Sequence, residues 1–277
     1  MKDRAFQFLR INELPQKPRS RGLTEIRGPY YTVMGERYLR DVLETMGPYV
    51  DSLKYAGGSF SLMSREAVKR LNDTAHEFDV SISTGGFIEH VLTQGSDAVS
   101  AYIGEAKELG FDIIEVSTGF ISLDADDWLR LIEQVQRSGL KAKPEIGIQF
   151  GAGGDTPAAQ LAAETQLDVG WAVSQAKRFL DAGAYLIMLE SEGITENVTS
   201  WRTDVPARFV NELGLDKVMF EAADPPVFQW YIKNYGPDVN LFVDHSQIVE
   251  LTCIRAGIWG PNDLWGRVRT FRPDSKA

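Results

Sequence analysis

The sequence is poor in cysteine and in long apolar runs. Its 277 residues include one cysteine, Cys253, so no internal disulfide can form and a reducing compartment is expected. No apolar run approaches the roughly 18 residues that a membrane-spanning helix needs. The first residues, MKDRAFQFLRINELPQ, lack the apolar core of a secretory signal. These features predict a cytoplasmic protein without a membrane segment.

Positive charge is also scarce, since 29 lysines and arginines stand against 39 aspartates and glutamates, a net charge of −10. Nucleic acid and anionic membranes are therefore poor partners, because their phosphates repel an acidic protein. The hydrophobic content of 43% is sufficient for a large core, and there is no low-complexity tract or obvious linker. The composition is that of a compact globular protein of one or two domains.

Short apolar runs alternate with longer amphipathic segments along the chain. Eight segments have helical periodicity, and several end at a glycine, a common C-cap. Eight runs have the character of buried strands: GLTEI, DSLKYAG, VSIST, FDIIEVS, KAKPEIG, AYLIMLE, KVMFEA and VNLFVD. This α/β alternation predicts a single-domain (β/α)8 TIM barrel over residues 22–277, preceded by an N-terminal arm over residues 1–21. An open doubly wound sheet is the alternative, but no run is followed by a GxGxxG pattern.

Acidic residues close five consecutive predicted strands: Glu115, Glu145, Glu190, Glu221 and Asp244. In a (β/α)8 barrel the C-terminal strand ends surround the active site, so these side chains are expected to converge. Ionised carboxylates at this density repel one another, unless some are protonated, some pair with bases, or a divalent cation lies among them. Mg²⁺ is the cation that such hard oxygen ligands favour.

Other candidate residues lie near the same strand ends. Lys54 closes the second strand, where it can transfer a proton, hold an anion or pair with the acids. Lys143 has the same strand parity as Glu145 but lies one layer deeper, and His245 follows the eighth strand. Backbone N–H groups can approach an anion at glycine pairs, although tight turns also explain such pairs: Gly57 and Gly58, Gly85 and Gly86. Two arginines ahead of the first strand can clamp an anion or remain solvated: Arg19 and Arg21.

Taken together, several motifs resemble the phosphosulfolactate synthase family over nearly the whole chain. They are KPRSRGLT, VDSLKYAGGS, STGGFIEHV, LGFDIIEVSTGFISL, KPEIG, LIMLESEG, VMFEAAD and GPDVNLFVDHSQIVELTCIRAGIWG. The resemblance implies a (β/α)8 barrel that adds sulfite to phosphoenolpyruvate with Mg²⁺, giving 2-phospho-3-sulfolactate on one route to coenzyme M. It also implies small anionic substrates and a homo-oligomer. Plant heat-stress-associated proteins are similar too.

The resemblance also suggests roles for the candidates. The Mg²⁺ ligands would be Glu145, Glu190 and Glu221. The catalytic residues would be Lys54, Glu115 and His245, with Lys54 protonating the carbon that bears the phosphate. The substrate-binding residues would be Arg19, Arg21, Gly57, Gly85, Gly86 and Asp244.

The sequence departs from the family pattern at two strand ends. Where family members carry a lysine after the fifth-strand E-x-G, this chain continues with Ile148, Gln149 and Phe150. Where an acid is expected after the fourth-strand serine, Thr118 follows instead. Two alternatives therefore stay open: a related barrel lyase acting on another small anionic enolisable substrate, and a non-catalytic stress or interaction protein on the same scaffold.

Overall fold

The protein is described by a computed structural model over residues 4–164, 168–222 and 224–271. Its eight strands are β1 (Thr24–Arg27), β2 (Ser52–Lys54), β3 (Ser81–Ser83), β4 (Ile113–Val116), β5 (Lys141–Ile146), β6 (Ile187–Leu189), β7 (Val218–Glu221) and β8 (Asn240–Asp244). They pair in parallel and in chain order, and β8 pairs with β1, which closes the sheet. The predicted (β/α)8 barrel is confirmed.

The helices of the described residues surround this barrel. They are α1 (Glu36–Met46), α2 (Arg65–His76), α3 (Ile88–Leu92), α4 (Ser96–Glu108), α5 (Ala125–Arg137), α6 (Ala158–Leu161), α7 (Val169–Asp181), α8 (Asp204–Leu213), α9 (Pro225–Tyr235) and α10 (Ile248–Arg255). Eight of them follow the amphipathic patterns of the sequence, whereas α3 and α6 are short additions in the connections after β3 and β5. Within the described residues, no helix combines the length and hydropathy needed to cross a membrane.

Local sequence explains where several helices begin and end. The Asp124 side chain accepts a hydrogen bond from the Asp126 N–H at the start of α5, and Asp168 accepts one from the Gly170 N–H at the start of α7. Helix α8 stops at Gly214, whose φ of +87° favours glycine. These signals set the helix lengths that cover the outside of the barrel.

Alternate strand residues face the helices and the barrel interior. Outward residues such as Ile26, Leu53 and Phe220 pack in the main core between strands and helices. The interior itself has two halves. One half is apolar and is formed by Leu23, Leu186, Met188, Met219 and Phe242. The other half, on β1, β2, β4 and β5, contains buried charged side chains: Glu25, Lys54, Glu115 and Lys143.

The segment before β1 lies across the N-terminal end of the barrel. The Asn12 N–H donates to the Ala256 carbonyl at 2.9 Å, and its side-chain amide donates to the Val268 carbonyl at 2.9 Å. Arg19 Nε lies 2.8 Å from Asp51 Oδ1, just before β2. These contacts attach the segment to the end of the barrel opposite the C-terminal strand ends.

Candidate active site

A cavity of about 420 Å³ opens at the C-terminal end of the barrel. Active sites of (β/α)8 enzymes lie at this end. Inward side chains at the strand ends form its floor, and the connections after β1 to β6 form its walls. Eight acidic side chains line it against one lysine and one arginine, among the described residues. The cavity is therefore strongly negative unless protons or cations compensate.

Five ionisable side chains alternate between acid and base from the barrel interior to this cavity. At the deep end, Lys143 Nζ lies 2.5 Å from Glu25 Oε2 and 3.0 Å from Glu115 Oε2. Above it, Lys54 Nζ lies 2.8 Å from Glu115 Oε1 and 3.2 Å from Glu145 Oε2. Glu115 therefore bridges two lysines with its two oxygens, and the row ends at Glu145 in the cavity.

Neighbouring groups in this row shift the pKa of Glu115 and that of Lys54. Burial raises the pKa of Glu115, but the charges of Lys143 and Lys54 outweigh burial and lower this pKa to about 2. Burial lowers the pKa of Lys54, but Glu115 and Glu145 outweigh it, so this pKa lies well above its ordinary value. Lys54 and Glu115 are therefore both charged at neutral pH. Glu115, predicted as a catalytic residue, lines the deep wall and is bonded to both lysines.

Three carboxylates converge beside Lys54. Oxygens of Glu145, Glu190 and Glu221 all lie within 4.8 Å of one another. Burial raises the pKa of Glu145 to about 8, with Glu115 and Glu221 adding to the effect despite Lys54. Burial and the charges of Glu221 and Glu145 also raise the pKa of Glu190 well above its ordinary value. Like charges at this separation are what a divalent cation relieves, and an all-carboxylate donor set fits a hard ion such as Mg²⁺. The predicted ligands are thus brought together.

Glu190 and Glu192 follow β6 but have different partners. Glu190 Oε1 accepts the N–H groups of Ser191 at 2.7 Å and Glu192 at 2.9 Å, which fixes the carboxylate with Oε2 left for a ligand. Glu192 instead accepts the N–H of Gly153 at 2.8 Å with one oxygen and that of Thr156 at 3.1 Å with the other. Glu190 therefore belongs to the three-carboxylate cluster, and Glu192 holds the glycine-rich connection after β5 over the cavity.

Glu89 organises a second wall of the cavity and was not recognised in the sequence. It lies in α3, is buried, and accepts the Gly119 N–H at 2.9 Å and the Phe120 N–H at 2.7 Å. Its Oε1 also accepts the Ser117 hydroxyl at 2.5 Å, and that hydroxyl lies 3.1 Å from Glu145 Oε1. Glu89 thus fixes the connection after β4 and, through Ser117, the edge of the three-carboxylate cluster. No local sequence signal marks it, because a glutamate on a helix is usually a surface residue.

The predicted glycines are divided between two roles. Gly57 and Gly86 line the cavity. Gly85 has a φ of +62°, and a Cβ there would lie 2.2 Å from the Tyr55 carbonyl oxygen, so this glycine permits a close backbone approach below the cavity wall.

Asp244, which closes β8, and His245, which follows it, do not line the cavity. Asp244 accepts the Ser246 N–H at 2.9 Å and so caps the short 3₁₀ turn that follows β8. His245 packs edge-on against Tyr38, and its Nδ1 lies 3.1 Å from the Arg27 carbonyl oxygen. Both are placed to stabilise the end of β8, which corrects the expectation that they face the substrate.

The arm arginines lie at the wrong end of the barrel. Arg19 pairs with Asp51, and Arg21 is exposed just before β1, so both are at the N-terminal end. The expectation that they bind an anion at the mouth is corrected because strand direction puts the barrel length between them and the cavity. The arginine that lines the cavity is Arg27, which closes β1. Arg27 lies two residues after Glu25 on the same strand, so both side chains are expected to point into the barrel. This alternation was the sequence signal for Arg27.

Comparison with known proteins supports a common origin. The family model of (2R)-phospho-3-sulfolactate synthase matches residues 12–261. Protein HEAT-STRESS-ASSOCIATED 32 of Arabidopsis thaliana is 39% identical over 259 residues, covering 90% of each chain. A phosphosulfolactate synthase of Methanothermobacter thermautotrophicus is 29% identical over 271 residues, covering 95% of this chain and 98% of that one.

A solved structure adds evidence on the fold. The 2,3-dimethylmalate lyase, of the phosphoenolpyruvate mutase/isocitrate lyase superfamily, aligns with a TM-score of 0.51 at 12% identity, covering 83% of this chain and 77% of that one. At this identity the likeness shows the barrel alone.

Proposed function

The chain belongs to the (2R)-phospho-3-sulfolactate synthase family, and we propose that it is a Mg²⁺-dependent enzyme that adds sulfite to phosphoenolpyruvate. The observation that carries this proposal is the convergence of Glu145, Glu190 and Glu221 beside the charged Lys54. This arrangement combines oxygen ligands for a hard cation with a proton donor at one point of a cavity. A non-catalytic scaffold has no need of it.

The proposed reaction is a conjugate addition that keeps the phosphate ester. The sulfur lone pair of sulfite forms a bond to the methylene carbon of phosphoenolpyruvate. The electron pair of the carbon–carbon double bond moves to the carbon that bears the phosphate and is delocalised into the carboxylate. That carbon then takes one proton, which gives 2-phospho-3-sulfolactate.

Lys54 is the residue we assign to proton donation. Its ammonium group is within 3.2 Å of Glu145, so it lies at the edge of the three-carboxylate cluster. A carbanion next to a carboxylate is far more basic than an amine, so proton transfer from the ammonium is favourable even with a raised pKa. Glu115 holds Lys54 in place with an oxygen at 2.8 Å. The structure thus supports a donor that is charged, buried and fixed.

The three carboxylates fit the metal that the family reaction needs. Glu145, Glu190 and Glu221 would hold Mg²⁺, which when bound stabilises negative charge that develops on the substrate carboxylate. The backbone N–H groups of Ser191 and Glu192 fix Glu190 in the orientation that this role requires. The glycine-rich connection held by Glu192 passes close to the cluster, since a Cβ at Gly153 would lie 2.8 Å from Glu190 Oε2.

A second candidate is the same chemistry on another small enolisable anion. It is favoured by Ile148, which stands at the position of the family lysine, is 0% exposed and belongs to the apolar core. Neither Ile148 nor the neighbouring Gln149, whose amide donates to the Leu161 carbonyl at 2.9 Å, can supply that lysine's proton. A site that has Lys54 but lacks the family lysine need not bind the same substrate as a family site that has both.

A direct assay tests the proposal. The purified protein is incubated with phosphoenolpyruvate, sulfite and Mg²⁺, and mass spectrometry is used to search for phosphosulfolactate, with each component omitted in turn and with Glu190→Gln as the matched inactive variant. Product that depends on all three components and on Glu190 supports the family reaction. A wild-type protein that binds Mg²⁺ and phosphoenolpyruvate but forms no product contradicts it and favours the second candidate. A protein that binds neither is the scaffold alternative.

A further inference from the structure

Of the two cationic side chains that line the cavity, Arg27 and Lys54, Arg27 has fewer carboxylate partners among the described residues. Its side chain is only 10% exposed, yet its one hydrogen bond to the described residues joins Nη2 to Glu221 Oε1 at 3.3 Å. A guanidinium carries five N–H donors. Four are therefore left without a protein partner in the described part of the chain, on a side chain that lines the cavity. The Arg27 nitrogens are not among the fully buried unpaired atoms of the described residues, so they are open to the cavity, where a ligand can reach them.

The other cation of the cavity already forms two ion pairs. Lys54 has carboxylate oxygens at 2.8 and 3.2 Å, from Glu115 and Glu145. The lining otherwise carries eight acidic side chains, which repel an anion. Of the lysine and the arginine in the described lining, Arg27 therefore offers an anionic group more unpaired N–H donors.

Two aromatic rings hold the Arg27 guanidinium in place. Its Cζ lies 4.8 Å from the Tyr31 ring centroid and 5.1 Å from that of Phe242. Lys54 Nζ lies 4.4 Å from the centroid of the same Phe242 ring, so both cations contact this ring. Contact with aromatic faces orients a guanidinium without using its N–H donors. Those donors stay free for an oxyanion in the cavity.

We propose that Arg27 is the anion-binding residue of this site and holds an oxyanion group of the substrate, its carboxylate or its phosphate, through two or more N–H groups. The inference rests on the proposed function for the identity of the substrate, but not for the presence of the anion site. Arg27 touches the substrate without taking part in proton transfer. It replaces the arm arginines that the sequence had suggested.

Titration calorimetry on Arg27→Gln, Arg27→Lys and wild type tests this. The probes are phosphoenolpyruvate, inorganic phosphate and pyruvate at saturating Mg²⁺, and Mg²⁺ alone. Arg27→Gln should weaken the binding of phosphoenolpyruvate by roughly tenfold or more, because bonds to a charged group are lost. Arg27→Lys, which keeps the charge and loses the planar fork, should fall between the two. Phosphate and pyruvate tell which group of the substrate Arg27 holds. The matched control is Arg37→Gln, which removes the same charge from an exposed position on α1.

Mg²⁺ binding separates the proposal from its main rival. If Arg27 binds the anion, Arg27→Gln leaves the Mg²⁺ affinity unchanged or makes it tighter, because a positive charge beside Glu221 has been removed. If Arg27 only orients Glu221 as a ligand, Mg²⁺ binding weakens and anion binding at saturating Mg²⁺ does not change, which overturns the proposal. A wild-type protein that binds none of the three anions also overturns it. If the wild-type protein binds the anions but does not turn over, only the proposed sulfite reaction is wrong. If it turns over and Arg27→Gln has unchanged anion affinity, only the assignment of Arg27 is wrong.

Discussion

The stability of the metal-free protein should fall as the pH rises from 6 to 8. Burial and the charges of Glu115 and Glu221, despite Lys54, raise the pKa of Glu145 from 4.5 to about 8. The unfolded chain releases this proton near pH 4.5, whereas the folded protein keeps it to about pH 8. Within this window the native state binds more protons than the unfolded state, so the free energy of unfolding decreases as pH increases.

The two pKa values set the size of the effect. A single carboxyl group that titrates at 4.5 unfolded and at about 8 folded lowers the free energy of unfolding by about 2 kcal/mol between pH 6 and pH 8. For a chain of this length, that corresponds to a decrease in Tm of roughly 4–8 °C. Glu190, whose pKa is also raised well above its ordinary value, adds to the slope. Mg²⁺ should stabilise the protein more at pH 8 than at pH 6, because it competes with these protons.

Thermal unfolding followed by circular dichroism at pH 6, 7 and 8, in EDTA and in Mg²⁺, measures both effects. Glu145→Gln carries a neutral amide at every pH and should lose its share of the slope. The control Glu44→Gln changes an exposed carboxylate on α1 and should keep the wild-type profile. A metal-free Tm that is flat or rises between pH 6 and 8, or a Glu145→Gln variant with the full wild-type slope, would refute the reasoning.

Three further predictions concern individual side chains. Glu190→Gln should abolish the Mg²⁺-dependent rise in Tm, with an unchanged circular dichroism spectrum, because this carboxylate is not part of the apolar core; retained Mg²⁺ stabilisation would remove it from the ligand set. Lys54→Ala should lower kcat at least a hundredfold while KM for phosphoenolpyruvate changes little, and the reverse pattern would make Lys54 an anion binder. Arg19→Ala should lower the free energy of unfolding by about 1–3 kcal/mol, because it removes the cation paired with the half-buried Asp51 carboxylate. The same variant should leave anion affinity unchanged in calorimetry, since Arg19 lies at the opposite end of the barrel. Weakened anion binding would contradict that placement.

The fold could be predicted because every level of the sequence agrees on it. The apolar runs were the strands, and the helix boundaries followed from local signals such as Asp124 at the start of α5 and Gly214 at the end of α8. Parallel strands buried on both faces need continuous apolar runs, and such runs with helices between them allow few topologies. The short helices α3 and α6 were missed because their few residues carry no periodicity.

The site could be predicted only where strand parity determines it. Glu145, Glu190 and Glu221 end three neighbouring strands on the inward face, so closing the barrel brings them together. Arg27 obeys the same parity but was passed over in favour of arginines that come earlier in the chain. Glu89 could not be found in this way, because its role depends on how the connections after β3 and β4 pack against each other.

The charged half of the barrel interior bears on whether this protein is an enzyme or a scaffold. Buried ion pairs such as Lys143 with Glu25 are often less stabilising than apolar side chains of similar volume. On the other side of the same barrel, apolar side chains such as Met188 and Met219 fill the interior. The fold therefore does not require the charges. What they accomplish is to place Lys54, charged and immobile, beside three carboxylates in a cavity. Under the proposed function, this placement supplies a charged proton donor next to the carboxylates that would hold the metal, whereas a binding scaffold does not need it.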